Sequence, residues 1–279
     1  LSHLRALGTA ETGPLREVLD YVAKELVPHI LARLDDPSQV GPIVQFFPDS
    51  ALIQARYGEL LADKLEDEIQ KALQAHDYQA ALQVAGRLQE HAPENELAGA
   101  VLRELSGLPE AVEEGLRAAG QGDMDRAAAL LAPVVRCAWV RGDERVERAW
   151  ARACAEQRMM QAREARKRGT YPQAVSLLEQ CRQELEGLWH YLEPPLQKRL
   201  EAETRVSRAW AEYALGEYEA SVQELEETVR SAPEIATWQE DLGFVRKVAS
   251  GVRNLAEGAW DEAVHLLEEA CRIRPGEEQ

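Results

Sequence analysis

The amino-acid sequence predicts an all-α protein assembled from repeated helical hairpins, on three observations. Five times a short turn is followed by the opening of an amphipathic helix. The segments are His76-Asp77-Tyr78-Gln79-Ala80-Ala81, Gly122-Asp123-Met124-Asp125-Arg126-Ala127, Gly169-Thr170-Tyr171-Pro172-Gln173-Ala174, Gly216-Glu217-Tyr218-Glu219-Ala220-Ser221 and Gly258-Ala259-Trp260-Asp261-Glu262-Ala263. The turn positions 76, 122, 169, 216 and 258 are separated by 46, 47, 47 and 42 residues. Such regularity marks architectures in which each unit buries its apolar face only against its neighbours. Finally, strand signals are nearly absent: only Val40–Phe47 has the composition, and Pro42 and Pro48 interrupt it.

The elements follow in order. Residues 1–13 read as a loose lead, and Leu15, Val18, Leu19, Val22, Leu26, Ile30 and Leu34 recur at helical spacing, predicting a helix over 14–34 that Pro28 kinks or divides. A connector, Asp35–Pro48, carries Ile43-Val44-Gln45-Phe46-Phe47, either a lid packed over the first repeat or an exposed apolar docking segment. Asp49 or Ser50 caps a helix through Gln74. An additional helix starts near Asn95 and is broken by Ser106-Gly107-Leu108-Pro109. Long first helices are expected over about Asp143–Lys167, Leu196–Leu215 and Glu234–Glu257, with shorter second helices such as Asp261–Arg274.

A local echo, Arg145–Ala151 against Arg205–Ala211, lies 60 residues apart rather than 47, which predicts an insertion in the third repeat's first helix. Tyr191-Leu192-Glu193-Pro194-Pro195 separates repeats three and four and is the candidate hinge. These breaks divide the chain into an N-terminal extension and connector (1–48), repeats one to three (49–190) and repeats four and five (191–279). In the last helix Ala263, Leu266, Leu267, Ala270 and Cys271 form an apolar stripe opposite Glu262, His265, Glu269 and Arg272, although Val264 flanks the polar side. A polar outer face is what a terminal capping helix needs, so residue 274 is taken as the end of the array.

The motif has a physical logic. A glycine or small polar residue lets the chain leave one helix and turn into the next. An aromatic two residues later can wedge between the helices, and an alanine at the crossing lets the backbones approach. Pro93, Pro233 and Pro275 close second helices. In the last repeat Gly258, Trp260, Asp261, Glu262, Ala263, Leu267, Ala270 and Pro275 fall where a tetratricopeptide repeat places its signature residues. Gly216, Tyr218, Glu219, Val222, Leu225 and Pro233 match in the fourth, and Asp77, Tyr78, Ala81, Leu82 and Pro93 in the first. Gly122, Asp123 and Ala127 and then Gly169, Tyr171 and Ala174 match less fully.

Over about residues 60–275 the chain thus resembles a divergent tetratricopeptide-like array. Its period exceeds the family's 34 residues, and the first helices keep little of the signature beyond Gly115 and Gly251. The resemblance implies a right-handed α-solenoid whose first helices line a concave groove for an extended peptide or a partner's helix. By alignment to each turn, the groove positions are Met159, Arg163 and Arg166 in repeat three and Val206, Trp210 and Tyr213 in repeat four. Trp210 also belongs to an apolar stripe with Ala202, Val206, Ala209 and Tyr213, so its plainer reading is core. Glu66 and Gln70 stand where the family's carboxylate clamp needs Lys and Asn, which argues against recognition of a chaperone C-terminus.

Composition narrows the function classes. No apolar run approaches the roughly 20 residues that span a bilayer, and Leu1-Ser2-His3-Leu4-Arg5 has no apolar signal-peptide core. Cys137, Cys154, Cys181 and Cys271 show no CxxC pairing and read as core packing, which suits a reducing cytoplasm. The scattered histidines indicate no metal site. Catalytic signatures are missing: there is no phosphate loop, dinucleotide fingerprint, nucleophile elbow or HExxH. Pairs such as Glu226-Glu227 and Glu268-Glu269 read as solvated helix faces rather than acid–base catalysts. Net charge is −17, which repels nucleic acid and anionic membranes and steers basic partners.

The charge is unevenly spread. Residues 201–279 hold 18 acidic against 8 basic residues, whereas residues 141–170 hold 9 basic against 5 acidic. Arg141, Arg145, Arg148 and Arg152 recur at helical spacing, and Arg163, Arg166, Lys167 and Arg168 continue the basic character. They form either a solvated face braced by pairs such as Glu144–Arg148, or a docking face for an acidic peptide, a phosphate group or RNA. RNA ranks last because the basic stretch is short. The expectation is a non-enzymatic, cytoplasmic interaction scaffold or adaptor without cofactor, binding a protein or peptide. The alternative is a regulatory module binding nucleic acid or a phosphorylated ligand through 141–168.

Overall fold

The computed structural model of the chain describes residues 17, 21–26, 29–30, 32–46, 50–233 and 235–274. Among them are twelve α-helices and no strand: α1 (Pro37–Phe46), α2 (Ala51–Gln74), α3 (Tyr78–His91), α4 (Glu96–Glu104), α5 (Leu108–Gln121), α6 (Met124–Val134), α7 (Glu144–Lys167), α8 (Tyr171–Glu184), α9 (Pro194–Ala214), α10 (Tyr218–Ser231), α11 (Ala236–Glu257) and α12 (Trp260–Ile273). The chain forms two compact units, Leu1–Glu110 and Ala111–Gln279. In the first, α1 packs on α2, α2 on α3 and α3 on α4. In the second, each helix from α6 to α12 packs on its successor, and α7 also touches α9. Sequential packing of adjacent helices is the arrangement of a helical repeat.

The five expected turns lie in the left-handed region: His76 (φ 55°), Gly122 (81°), Gly169 (72°), Gly216 (81°) and Gly258 (82°). Glycine takes that conformation without a steric penalty, and His76 does so at a cost. A helix begins two residues after each turn, at Tyr78, Met124, Tyr171, Tyr218 and Trp260. The carboxylates of Asp77 and Asp123 cap two of these helices, accepting from the backbone N–H groups of Ala80 (2.9 Å) and Arg126 (3.2 Å). The residue five past each turn, Ala81, Ala127, Ala174, Ser221 or Ala263, is completely buried. There the helices cross closely.

Of these five, Ser221 is the exception in chemistry. Its hydroxyl is buried with no hydrogen-bond partner among the described residues. Ser221→Ala is therefore expected to stabilise the chain by about 1 kcal/mol in urea unfolding, because an unsatisfied buried polar group costs about 1–3 kcal/mol. A loss of stability would show that the hydroxyl is satisfied.

The close crossing recurs at the two glycines that the repeat pattern singled out. A Cβ built on Gly115 in α5 would lie 2.5 and 2.6 Å from Leu131 carbons in α6, and one on Gly251 in α11 would lie 2.8 Å from Leu267 Cγ in α12. Only glycine fits either position.

Several expectations are corrected. The connector is helical, not a loop: Val40, Ile43 and Val44, at i, i+3 and i+4, face Ile53, Tyr57 and Leu60 of α2. Pro37 opens that helix, where proline's missing N–H costs nothing, and Pro42 sits on its exposed side. Phe47, Pro48 and Asp49 lie outside the described residues, and Ser50 precedes α2 without a side-chain cap bond. Of the helix expected over 14–34, Leu15, Val18, Leu19 and Pro28 also lie outside them, as does Pro275. The described part holds a π-helical turn, Val22–Leu26, and Leu26 and Ile30 are exposed.

α7 has 24 residues against 21 for α9, and the echoed segments differ in place, Arg145–Ala151 opening α7 and Arg205–Ala211 lying in the second half of α9. The wedge fails in the last repeat, where Trp260 is 65% exposed, while Tyr78 is buried and Tyr171 and Tyr218 are half-buried. The outer face of α12 is mixed: Glu262, His265 and Arg272 are exposed as expected, but so are Trp260 and Val264, above the half-buried Leu267 and Cys271. The break before α9 is braced by Gln197, whose amide donates to the carbonyls of Trp189 (2.8 Å) and Leu192 (3.0 Å). No described helix is long and apolar enough to cross a membrane.

Candidate functional site

Most of the candidate surface residues gather in the second unit around two clefts. The larger, about 1480 Å³, opens among α7, α9 and α11 and includes Arg163, Arg166, Trp210 and Tyr213. In both repeats these are the residues six and three positions before the turn. The residues ten positions before it, Met159 and Val206, are buried in the core instead. A smaller cleft of about 730 Å³ takes in Arg145, Arg148 and Arg152 beside Tyr191 and Pro194. Arg199 borders both clefts, whereas Arg141 is exposed and lines neither.

Two buried carboxylates organise the floor of the larger groove. Glu203, on α9, is 2% exposed. Arg163 donates to its Oε1 through Nε (2.7 Å) and Nη2, and Arg166 donates to Oε2 through Nη2 (2.7 Å). Arg166 Nη1 also reaches the hydroxyl of Ser207 (3.0 Å), which donates in turn to the carbonyl of Glu203 (2.8 Å). Two guanidinium forks thus hold one carboxylate, a geometry that satisfies both oxygens and joins α7 to α9.

Asp241, on α11, is the second. It accepts from Trp210 Nε1 at 3.4 Å and from the guanidinium of Arg274, which lies 4.5 Å above the Trp210 ring. Burial pushes the Asp241 carboxyl above its ordinary value, outweighing the opposing effects of Arg274, the Trp210 hydrogen bond and Arg166. Trp210 is itself 4% exposed, stacked with Tyr171 (5.9 Å) and with Phe244 (6.0 Å), with Tyr213 edge-on at 5.3 Å. Its ring is core, as its stripe suggests, and one edge also lines the groove.

The arginine row on α7 is braced by carboxylates. Arg145 forms a two-point contact with the buried Asp143 (3.1 and 2.9 Å), and Arg152 meets Glu156 at 3.0 Å. Arg148 lies 3.9 Å from Glu144. These are mostly local pairs between solvent-exposed groups, worth a few tenths of a kcal/mol each.

Sequence reasoning missed Glu203, Asp241, Arg199 and Arg274. A signal for the two carboxylates does exist: each interrupts the apolar stripe of its helix, Glu203 among Leu200, Ala202 and Val206, Asp241 among Trp238, Leu242 and Val245. A carboxylate on a buried face needs a cation, and the row on α7 supplies one.

Cys154 and Cys181 are buried, Cys137 and Cys271 only half-buried, and all are free thiols. A hydrogen bond with Cys181, then burial, holds the Cys154 thiol well above its ordinary range. Among the described residues no three His, Cys, Asp or Glu side chains converge as a metal site.

No family model matches the chain, and no match to a curated protein was found.

Proposed function

We propose that the protein is a non-enzymatic scaffold of divergent tetratricopeptide-like hairpins that holds a protein or peptide partner in the groove among α7, α9 and α11. The observation that carries this reading is that the groove's floor is already locked. Arg163, Arg166 and Glu203 tie α7 to α9, and Asp241, Trp210 and Arg274 tie α9 to α11. A partner would meet a surface that needs little ordering, which keeps the entropic cost of association low. Both carboxylates are committed to these locks, leaving neither as a general acid or base. The composition suits a cytoplasmic protein. Binding of nucleic acid or a phosphorylated ligand through 141–168 gains less support, because Arg145, Arg148 and Arg152 each face a carboxylate.

Ala214 and Thr237 line the groove and are exposed, so a bulky side chain at either fills it without disturbing the locks. A protein captured from lysate by the intact chain, then purified, is expected to bind Ala214→Trp and Thr237→Trp at least about tenfold more weakly, a loss of about 1.4 kcal/mol. Equal binding to the blocked variants, or retention of nucleic acid instead of protein, would overturn the reading.

A further inference from the structure

We propose that the groove takes an acidic polypeptide segment carrying an aromatic or aliphatic anchor; this rests on the groove reading above and specifies its ligand. Six cationic side chains line the groove: Arg163, Arg166, Lys167, Arg168, Arg199 and Arg274. Among the lining residues the carboxylates are Glu203 and Asp241, and with Glu164 beside Lys167 counted the excess is three positive charges in a chain whose net charge is −17. Glu203 is shared by two arginines and so neutralises one of them. Lys167 meets Glu164 at 2.7 Å on the outer turn of α7. Arg168 and Arg199 are exposed, and among the described residues neither has a carboxylate within ion-pair distance.

Local charge opposite to the global charge does not arise from composition. It focuses field at this cleft and selects a ligand of the sign that the rest of the surface repels. Two classes of anion could answer that field. A nucleic acid needs a continuous cationic track, and the acidic remainder of the chain opposes one. It also needs aromatic faces for its bases, but Tyr171, Trp210 and Phe244 are stacked on one another. A polypeptide needs only a few carboxylates and one anchor.

The groove is arranged in that way. Its unpaired cations sit at the C-terminal end of α7 and in the first turns of α9. Its apolar surface is the half-buried Tyr171, Tyr213, Tyr218 and Ile235, contributed by the starts of α8 and α10, the end of α9 and the approach to α11. Cations and apolar side chains thus line the same groove.

The test is selection of a phage-displayed random dodecapeptide library on the intact chain. Enriched peptides are then synthesised with a fluorescent label and titrated by polarisation. The expected enrichment is in peptides of net negative charge bearing a Trp, Phe, Tyr or Leu. Their affinity should fall by about tenfold or more in Arg168→Glu/Arg199→Glu, fall less in Arg168→Gln/Arg199→Gln, and weaken with added salt. Enrichment of neutral or basic peptides, or acidic peptides that bind the reversed variant as tightly as the wild type, overturns the acidic ligand while leaving the groove reading in place. Peptides indifferent to Ala214→Trp, or no enrichment, overturn both.

Discussion

Gly115→Val is expected to destabilise the chain by about 3 kcal/mol, at the upper end of what overpacking a core costs. Gly86→Ala is expected to stabilise it by roughly 0.5–1 kcal/mol, the propensity difference between the two residues inside a helix. Both glycines lie inside helices, so propensity favours replacing either one. What separates them is the neighbour. A Cβ on Gly86 meets nothing within 4 Å, whereas on Gly115 it falls 2.6 Å from Leu131 Cγ. That carbon is not the free end of a chain, and Leu131 is completely buried, so α5 must move away from α6. Removing the obstacle with Leu131→Ala in the Gly115→Val background should recover part of the loss, a coupling that independent sites do not show. Urea unfolding of Gly115→Val, Leu131→Ala, their double variant and Gly86→Ala beside the wild type measures all of this. Gly115→Val at wild-type stability would mean that the two helices are farther apart.

Glu203→Leu is expected to cost about 3 kcal/mol, the lower end for removing one partner of a buried ion pair. The lower end applies because the Arg163 side chain is 37% exposed and Arg166 15%, so water can partly rehydrate the stranded guanidiniums. The loss comes from unpaired charge rather than from a missing favourable bond. Replacing the whole cluster with apolar groups, Glu203→Leu with Arg163→Met and Arg166→Met, should therefore restore most of the stability lost in the single variant. Thermal and urea unfolding of the two variants decide the matter. A single variant within about 0.5 kcal/mol of wild type, the range of ordinary surface substitutions, would show that Glu203 is not the buried hub of the groove.

The architecture was legible in local chemistry. A turn needs a residue that tolerates positive φ, a helix start favours a capping carboxylate, and a close crossing needs a small side chain; all three are nearest-neighbour requirements. Gly122, Asp123 and Ala127 therefore announce their hairpin without knowledge of anything distant. The connector over 37–46 was misread because the segment was tested only as a strand, which Pro42 and Pro48 interrupt, and the i, i+3, i+4 spacing of Val40, Ile43 and Val44 went unread. Trp260 was misread as a wedge because an aromatic at a helix start is buried only if another element covers it, and nothing in the repeat motif says whether one does.

The groove was legible only in part. Arg163, Arg166, Trp210 and Tyr213 could be placed because they stand at fixed distances from a turn, and a helix converts sequence offset into direction. Met159 and Val206 share that register logic yet turn into the core, because one further helical turn carries them under the neighbouring helix. By itself the sequence determined most of the helical segments, the five reversals and most of the apolar faces, since these depend on residues within one or two turns of each other. Only the tertiary structure decided that the arginines of α7 are spoken for. Glu203 lies 40 positions from Arg163 and 37 from Arg166, Asp241 31 from Trp210, and each meets its partner only because α7, α9 and α11 converge on one groove. Coulomb interactions and desolvation act through space, and a buried carboxylate selects whichever cation the packing brings to it.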